Sequence, residues 1–290
     1  MGNKIVLGVI GGSGLYDIDG LKNKKWVKYN SPFGEPSDEL LTGELDGLDI
    51  VFLPRHGRGH KISPSEINYR ANIDILKRAG VTDIVSVSAV GSLKANLQPG
   101  MFVIVDQFID RTYARSKSFF GKGLVAHISM AHPVCSRSGK LIQKASKNSG
   151  INVVSGGTYL AMEGPQFSSK AESELYRSWG CDVIGMTNMP EAKLAREAEI
   201  CYSTVAMITD FDCWHPDHDN VTVDAIIEVL NSNADNARLL IKQLVPLFRD
   251  CKDSAYCSCR KALDNAIITA PESRDLNMVE KLDAIAGRVL

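Results

Sequence analysis

Apolar and β-branched residues recur along the chain in short runs, and most runs long enough to be a buried strand end in a glycine or polar cluster. Lys4–Ile10 alternates weakly and breaks at Gly11-Gly12-Ser13-Gly14, which predicts a first strand feeding a tight turn. Asp49–Leu53 predicts a second, followed directly by Arg55-His56-Gly57-Arg58-Gly59-His60. From Ser65 to Ala79, apolar or small residues at Ile67, Ala71, Ile75 and Leu76 have helical spacing, and Gly80 supplies the stop. A third strand then closes on Ser88-Ala89-Val90-Gly91-Ser92.

Further along, Met101–Phe108 and Asn152–Met162 read as strands, Ala171–Trp179 as a helix and Asp182–Met186 as a strand. Ala192–Glu199 reads as a helix, Cys201–Thr209 as a buried strand, and Val223–Phe248 as a long amphipathic helix. Strands and helices in alternation predict an α/β layered fold whose ligands gather at the carboxyl ends of the strands. With no internal repeat and no low-complexity linker, residues 1–290 read as one domain, of which 250–290 form a C-terminal tail carrying Cys257-Ser258-Cys259.

Composition narrows the partners. With 44% hydrophobic and 23% charged residues a large core is expected, not disorder. The net charge of -1, from 33 basic and 34 acidic side chains without a run of five like charges, lacks the basic face that nucleic acid requires. The stretch MGNKIVLGVIGG is too short for a signal sequence or a membrane span, so a cytoplasmic protein with small-molecule ligands is expected, with no membrane partner.

Several strand ends carry anion donors. The Gly11–Gly14 turn lacks the dinucleotide fingerprint, because Asp17 stands where the third glycine belongs, and there is no GxxxxGK[ST]. Its amides and the Ser13 hydroxyl, with Arg55, His56, Ser88 and Thr187, instead describe a pocket for free phosphate. The segment MITDFDCWH ends a buried strand in two carboxylates, Asp210 and Asp212, which is either turn chemistry or a ligand edge. His215-Pro216-Asp217-His218-Asp219 reads as a solvated loop, and no metal site is expected. Cys135, Cys181, Cys201, Cys213 and Cys251 stand far apart without CxxC spacing, and most of them are expected as small buried hydrophobes.

In order, VIGGSGLYD, FLPRHGRGH, NYRANIDILKRAGV, SAVGSL, DQFIDRT, AMEGPQFSSKAES and GMTNMPEAKLAREAEICYSTVAMITDFDCW resemble the 5′-methylthioadenosine phosphorylase family of the trimeric purine nucleoside phosphorylases. The likeness covers residues 5 to about 247. It implies one α/β domain around a mixed, distorted sheet flanked by helices. It also implies a homotrimer, with pairing of trimers open, and phosphorolysis that uses inorganic phosphate as substrate without metal or organic cofactor.

Carried over by position, the resemblance puts phosphate on Ser13, Arg55, His56, Ser88, the Ala89 backbone N–H and Thr187. Phe167 would border the base, Met186 the sugar, and Asp210 and Asp212 the purine edge. Val223, Ile226 and Ile227 would line the alkylthio pocket, although by spacing alone they are an ordinary core stripe with Leu230. His127 would come from a neighbouring subunit. Two acids one residue apart, with Phe211 turned away by the strand period, could converge on a 6-aminopurine, Asp210 sharing a proton at N7. Adenosine, inosine or methylthioinosine are the alternative substrates, and a non-catalytic nucleoside-binding protein would keep the same pocket. The CxC tail resembles one found in other, often thermostable, members, with reduced thiols expected in a cytosol.

Overall fold

The computed structural model describes residues 4–12, 14–216, 223–252 and 257–290, and for 223–228 the backbone alone. In chain order the elements are β1 (Val6–Gly11), β2 (Lys22–Val27), β3 (Leu40–Leu45), β4 (Leu48–Pro54), α1 (Tyr69–Arg78), β5 (Asp83–Ser92), β6 (Phe102–Ile104) and β7 (Gln107–Asp110). There follow α2 (Ser136–Ser149), β8 (Val153–Ser155), β9 (Thr158–Ala161), α3 (Lys170–Ser178), β10 (Val183–Gly185), α4 (Glu191–Glu197) and β11 (Cys201–Asp210). The chain closes with α5 (Val223–Arg249), α6 (Leu276–Lys281) and α7 (Asp283–Ala286).

One mixed sheet organises these elements, and it forks at β5. β11 runs parallel along one edge of β5 for nearly its whole length, so β1 and β10 share the other edge. β1 pairs in parallel with Asp83–Ser86, and β10 pairs antiparallel with Gly91 and Ser92. Between them Val87–Val90 face an opening in the sheet. The parallel strands β4, β1, β5 and β11 all point their carboxyl ends the same way, toward that opening.

Helices cover both faces. α1 and α4 pack Ile73, Ile75, Leu76, Leu194 and Ala195 on one side, joined there by Leu282 and Ile285. On the other side α2 and α5 contribute Ile142, Ala145, Leu240, Ile241, Leu244 and Phe248. Local chemistry sets several boundaries: the Asn68 side chain accepts from the Ala71 N–H at the start of α1, and Ser169 and Glu172 close a capping box on α3.

The structure differs from the pattern-based reading in four places. Met101–Phe108 is two strands, because β6 pairs with β11 and β8 while β7 turns away to β9. Asn152–Met162 likewise divides into β8 and β9 at Gly156 and Gly157, whose φ values of 88° and 153° suit glycine. β2, an exposed edge strand rich in lysine, and the polar helix α2 carry too few apolar positions to announce themselves, and in β3 the leucines are interrupted by Thr42-Gly43-Glu44. Finally, the segment expected as a tail buries Leu263, Ala266, Leu282, Ile285 and Ala286 in the main core. No described helix is long and apolar enough to cross a membrane.

Candidate active site

β1 and β4 deliver the glycine turn and Arg55-His56 side by side, since the Arg55 N–H donates to the Gly11 carbonyl at 2.9 Å. A Cβ on Gly12 would meet nothing within 4 Å, so the backbone there borders open space. Ser13 itself lies outside the described residues. Gly14 lies against Ala234 and Arg238 of α5, which sets that helix beside the turn.

At the sheet opening Arg55 does something the sequence reading did not foresee. It was expected as a phosphate ligand, yet its guanidinium faces the interior. Nε and Nη2 donate to the two Glu191 carboxylate oxygens, Nη2 also to Ser86 Oγ, and Nη1 to the Val87 carbonyl on the unpaired edge of β5 at 3.0 Å. Because strand residues alternate between edges, Ala89, two residues on, directs its N–H into the same opening. Ala89 is exposed although both its neighbours in β5 are buried.

Ser88 and Thr187 meet at Asn188. Both hydroxyls donate to Asn188 Oδ1, at 2.9 and 3.3 Å, and the Asn188 amide donates to Ser86, Tyr202 and Thr204. Asn188 adopts a left-handed φ of 67°, a conformation that asparagine tolerates better than most residues. Ser86, Asn188, Glu191, Tyr202 and Thr204 were absent from the sequence-based site. Their signal was weak: a serine and a threonine inside apolar strands, each a buried hydroxyl that demands a partner.

His56 also departs from expectation. Its Nδ1 lies 2.8 Å from the Ile62 carbonyl, an acceptor only, so the proton sits on Nδ1 and Nε2 presents a lone pair. Burial first, then the Arg55 charge, lowers its pKa to about 4. Before ligand binds, Nε2 is an acceptor and not the donor a phosphate dianion wants.

The second cluster forms where β11 ends. Register slips between Ile208 and Asp210, a bulge that re-aims the last residues of the strand. Asp210 then lies so close to β5 that a Cβ on Gly91 would fall 2.9 Å from Asp210 Oδ1. Thr209 Oγ1 donates to Asp210 Oδ2 and the Asp212 N–H to Asp210 Oδ1, both at 2.7 Å. Burial raises the Asp210 pKa, partly offset by those two donors.

Asp212 is not the next outward position of a strand. β11 stops at Asp210, and Asp212 takes a left-handed φ of 53° in the turn that follows. The convergence expected from a two-residue period therefore comes from the bulge and this turn. Phe211 does turn away, packing edge-on against Trp214 and stacking on His215. Asp212 is buried, its pKa is raised mainly by that burial and drawn back in part by the Ser173 hydroxyl, the Cys213 N–H and the Ser168 hydroxyl nearby, and among the described residues its Oδ2 has no partner within hydrogen-bond distance. A buried acceptor without a donor costs about 1–3 kcal/mol, which is reason to look for a ligand there.

Nearby, the Cys213 thiol donates to the Ser168 carbonyl and brings the 164–169 loop beside the two acids. Phe167 on that loop is 52% exposed, and Met186 packs against Gly164. Val223, Ile226 and Ile227 fall in the first turns of α5, their side chains outside the described residues. His127 is exposed and holds the chain to Ala266 through its backbone N–H, with no hydrogen bond to the strand-end residues.

Residues 6–246 match the sequence profile of the phosphorylase superfamily. This chain belongs to that superfamily. Among phosphorylases of the superfamily it is 64% identical over 285 residues to S-methyl-5′-thioadenosine phosphorylase of Rhodospirillum rubrum, covering 98% of this chain and 97% of the relative. With the protein of the same name from Cereibacter sphaeroides it shares 61% over 287 residues, covering 99% of each. Its fold is that of a methylthioadenosine phosphorylase from an Antarctic soil metagenome, with a TM-score of 0.92, 49% identity and coverage of 98% and 99%. A variant of adenosine/methylthioadenosine phosphorylase from Schistosoma mansoni, in complex with adenine, superposes with a TM-score of 0.85 at 35% identity, covering 91% and 99%.

Proposed function

We propose that the chain cleaves 5′-methylthioadenosine with inorganic phosphate, releasing adenine and 5-methylthioribose 1-phosphate. The observation that carries this reading is the acceptor edge at the end of β11, where the carboxylates of Asp210 and Asp212 stand together with pKa values raised by burial. The 6-amino group of adenine is such a donor.

Departure of the base requires that negative charge not accumulate on it. Asp210, its pKa raised by burial, shares a proton with N7, while Asp212 accepts from the amine. Phosphate sits at the sheet opening, held by the glycine turn and the Ala89 N–H, with the Ser88 and Thr187 hydroxyls rotating from Asn188 Oδ1 to donate to it. From there it attacks the anomeric carbon on the face opposite the base, and its charge stabilises the cationic sugar. Arg55 acts from beneath, fixing the Val87 carbonyl and the Glu191 side of the network. No metal or organic cofactor enters these steps, and the protein works in the cytoplasm as a homotrimer in which His127 completes a neighbour's site.

The test is adenine release from methylthioadenosine with and without phosphate. Turnover that persists undiminished in phosphate-free buffer makes the protein a hydrolase and overturns the reading. Adenosine as a second substrate is favoured over inosine by the same edge, because a 6-oxo group sets its oxygen against carboxylate lone pairs.

A further inference from the structure

Four cysteines that the sequence scatters come together at the end of the molecule opposite the pocket. Cys135 caps the start of α2, Cys201 opens β11, and Cys257 and Cys259 flank the start of the 3-10 turn Ser258–Lys261. Their Sγ atoms all lie within 4.8 Å of one another, with Cys135 and Cys257 at 3.6 Å. Three are buried and Cys257 is half-buried, and all four are free thiols. A tetrahedral ion with metal–sulfur bonds of about 2.3 Å needs sulfur–sulfur edges of roughly 3.8 Å. A disulfide needs about 2.0 Å.

We propose that Cys135, Cys201, Cys257 and Cys259 bind one divalent ion of the zinc class as a structural tetrathiolate centre. On binding, four thiol protons leave to solvent and four metal–sulfur bonds form; no electron moves and no oxidant is needed. The product carries two negative charges, and the surroundings are built to take them. Arg196 Nη1 lies 3.4 Å from Cys259 Sγ, Arg137 pairs with the buried Asp83 carboxylate, and Arg260 reaches the same carboxylate at 3.2 Å. Three guanidiniums against one carboxylate leave two positive charges, which the dianionic centre balances.

At this spacing a dication can take all four as thiolates. The role is structural because Cys201 and Asp210 stand at opposite ends of the ten-residue β11, about 30 Å apart. Its effect is to fasten residues 257–259 to the starts of α2 and β11. The inference does not depend on the proposed reaction.

The experiment uses the full-length protein, purified with a reductant and without chelator, in three measurements: elemental analysis, thiol counting in denaturant, and cobalt(II) titration of metal-depleted protein. Expected are about one zinc per chain and a cobalt complex with the intense visible bands of tetrahedral tetrathiolate coordination. Paired Cys257→Ser and Cys259→Ser substitutions should lower bound metal at least tenfold and lower the melting temperature, with adenine release at moderate temperature kept. Cys181→Ser, in a different part of the core, should retain the metal. Protein that holds no zinc and gives no tetrathiolate cobalt spectrum overturns the proposal. So does the loss of two or four titratable thiols to disulfides under reducing conditions, or stoichiometric iron in place of zinc. Should the paired variant fail to fold, the cobalt titration of the unsubstituted protein still decides.

Discussion

Arg55 and Glu191 form a two-point ion pair inside the protein, Nε to Oε2 at 2.9 Å and Nη2 to Oε1 at 3.3 Å, with side chains 2% and 3% exposed. Glu191 opens α4 and Arg55 follows β4, so one contact joins a helix to the sheet directly under the opening. Burial alone would raise the Glu191 pKa, but the Arg55 charge and the Ser86 and Tyr202 hydroxyls hold it below its ordinary value. Removing one partner of a buried pair leaves the other uncompensated. Glu191→Ala should therefore cost about 3–5 kcal/mol in urea denaturation. The pair's contribution should be complete above the ordinary carboxyl range and fade as pH falls through the lowered value. A cost under about 1 kcal/mol would show that the pair does not hold the floor of the site.

His56 makes phosphate binding proton-linked. With Nδ1–H given to Ile62 and Nε2 bare, the complex requires either a monoanionic phosphate whose O–H donates to Nε2 or a proton added to the ring. Both routes take up one proton relative to neutral His56 and the dianion. The phosphate KM should rise about tenfold per pH unit above the second ionisation of phosphate, and His56→Gln, with an amide donor, should flatten the slope. A phosphate KM unchanged from neutral to alkaline pH contradicts the assigned tautomer.

Asp210 sets the base preference. Asp210→Asn replaces a shared proton and an acceptor by an amide donor, and an unpaired buried polar group costs about 1–3 kcal/mol. The ratio of kcat/KM for methylthioadenosine over methylthioinosine should fall about tenfold to a hundredfold, with most activity on methylthioadenosine lost. An unchanged ratio would remove Asp210 from the base edge.

Asp212 should trade stability for activity. Its folded-state pKa is raised by burial, so the penalty is absent below the unfolded value of about 3.9, grows as pH rises through the folded value, and is complete above it. Asp212→Asn keeps a side chain that tolerates the left-handed backbone. The ligand-free variant should be about 0.5–2 kcal/mol more stable at mildly alkaline pH, with a smaller gain in acid, and poorly active. Equal or lower stability across that range would mean that the unpaired oxygen is not a stored cost.

If His127 serves a neighbouring site, two inactive proteins should repair each other. Mixing His127→Ala with Asp210→Asn subunits and allowing exchange should restore part of the methylthioadenosine activity, since some sites receive both intact groups. Verified exchange without recovery would return His127 to the chain's own surface.

The sequence by itself determined the strand-and-helix alternation, the long α5, and the placement of donors and acids at strand ends, because these depend on short-range periodicity and on which residue types can stop a strand. The span of β11 came out within one residue, and Phe211 turned inward as its apolar ring requires. What needed the tertiary structure was every relation between distant residues. Glu191 lies 136 positions from Arg55, and their pairing makes Arg55 a buried strut of the site. The His56 tautomer depends on one carbonyl, that of Ile62, and the convergence of Asp210 and Asp212 on a bulge and a left-handed turn, neither of which leaves a periodic trace. The four cysteines are the extreme case. Spacing rules read ligands supplied by one local loop, whereas this quartet is drawn from a helix start, a strand start and a turn that only packing brings within bonding reach.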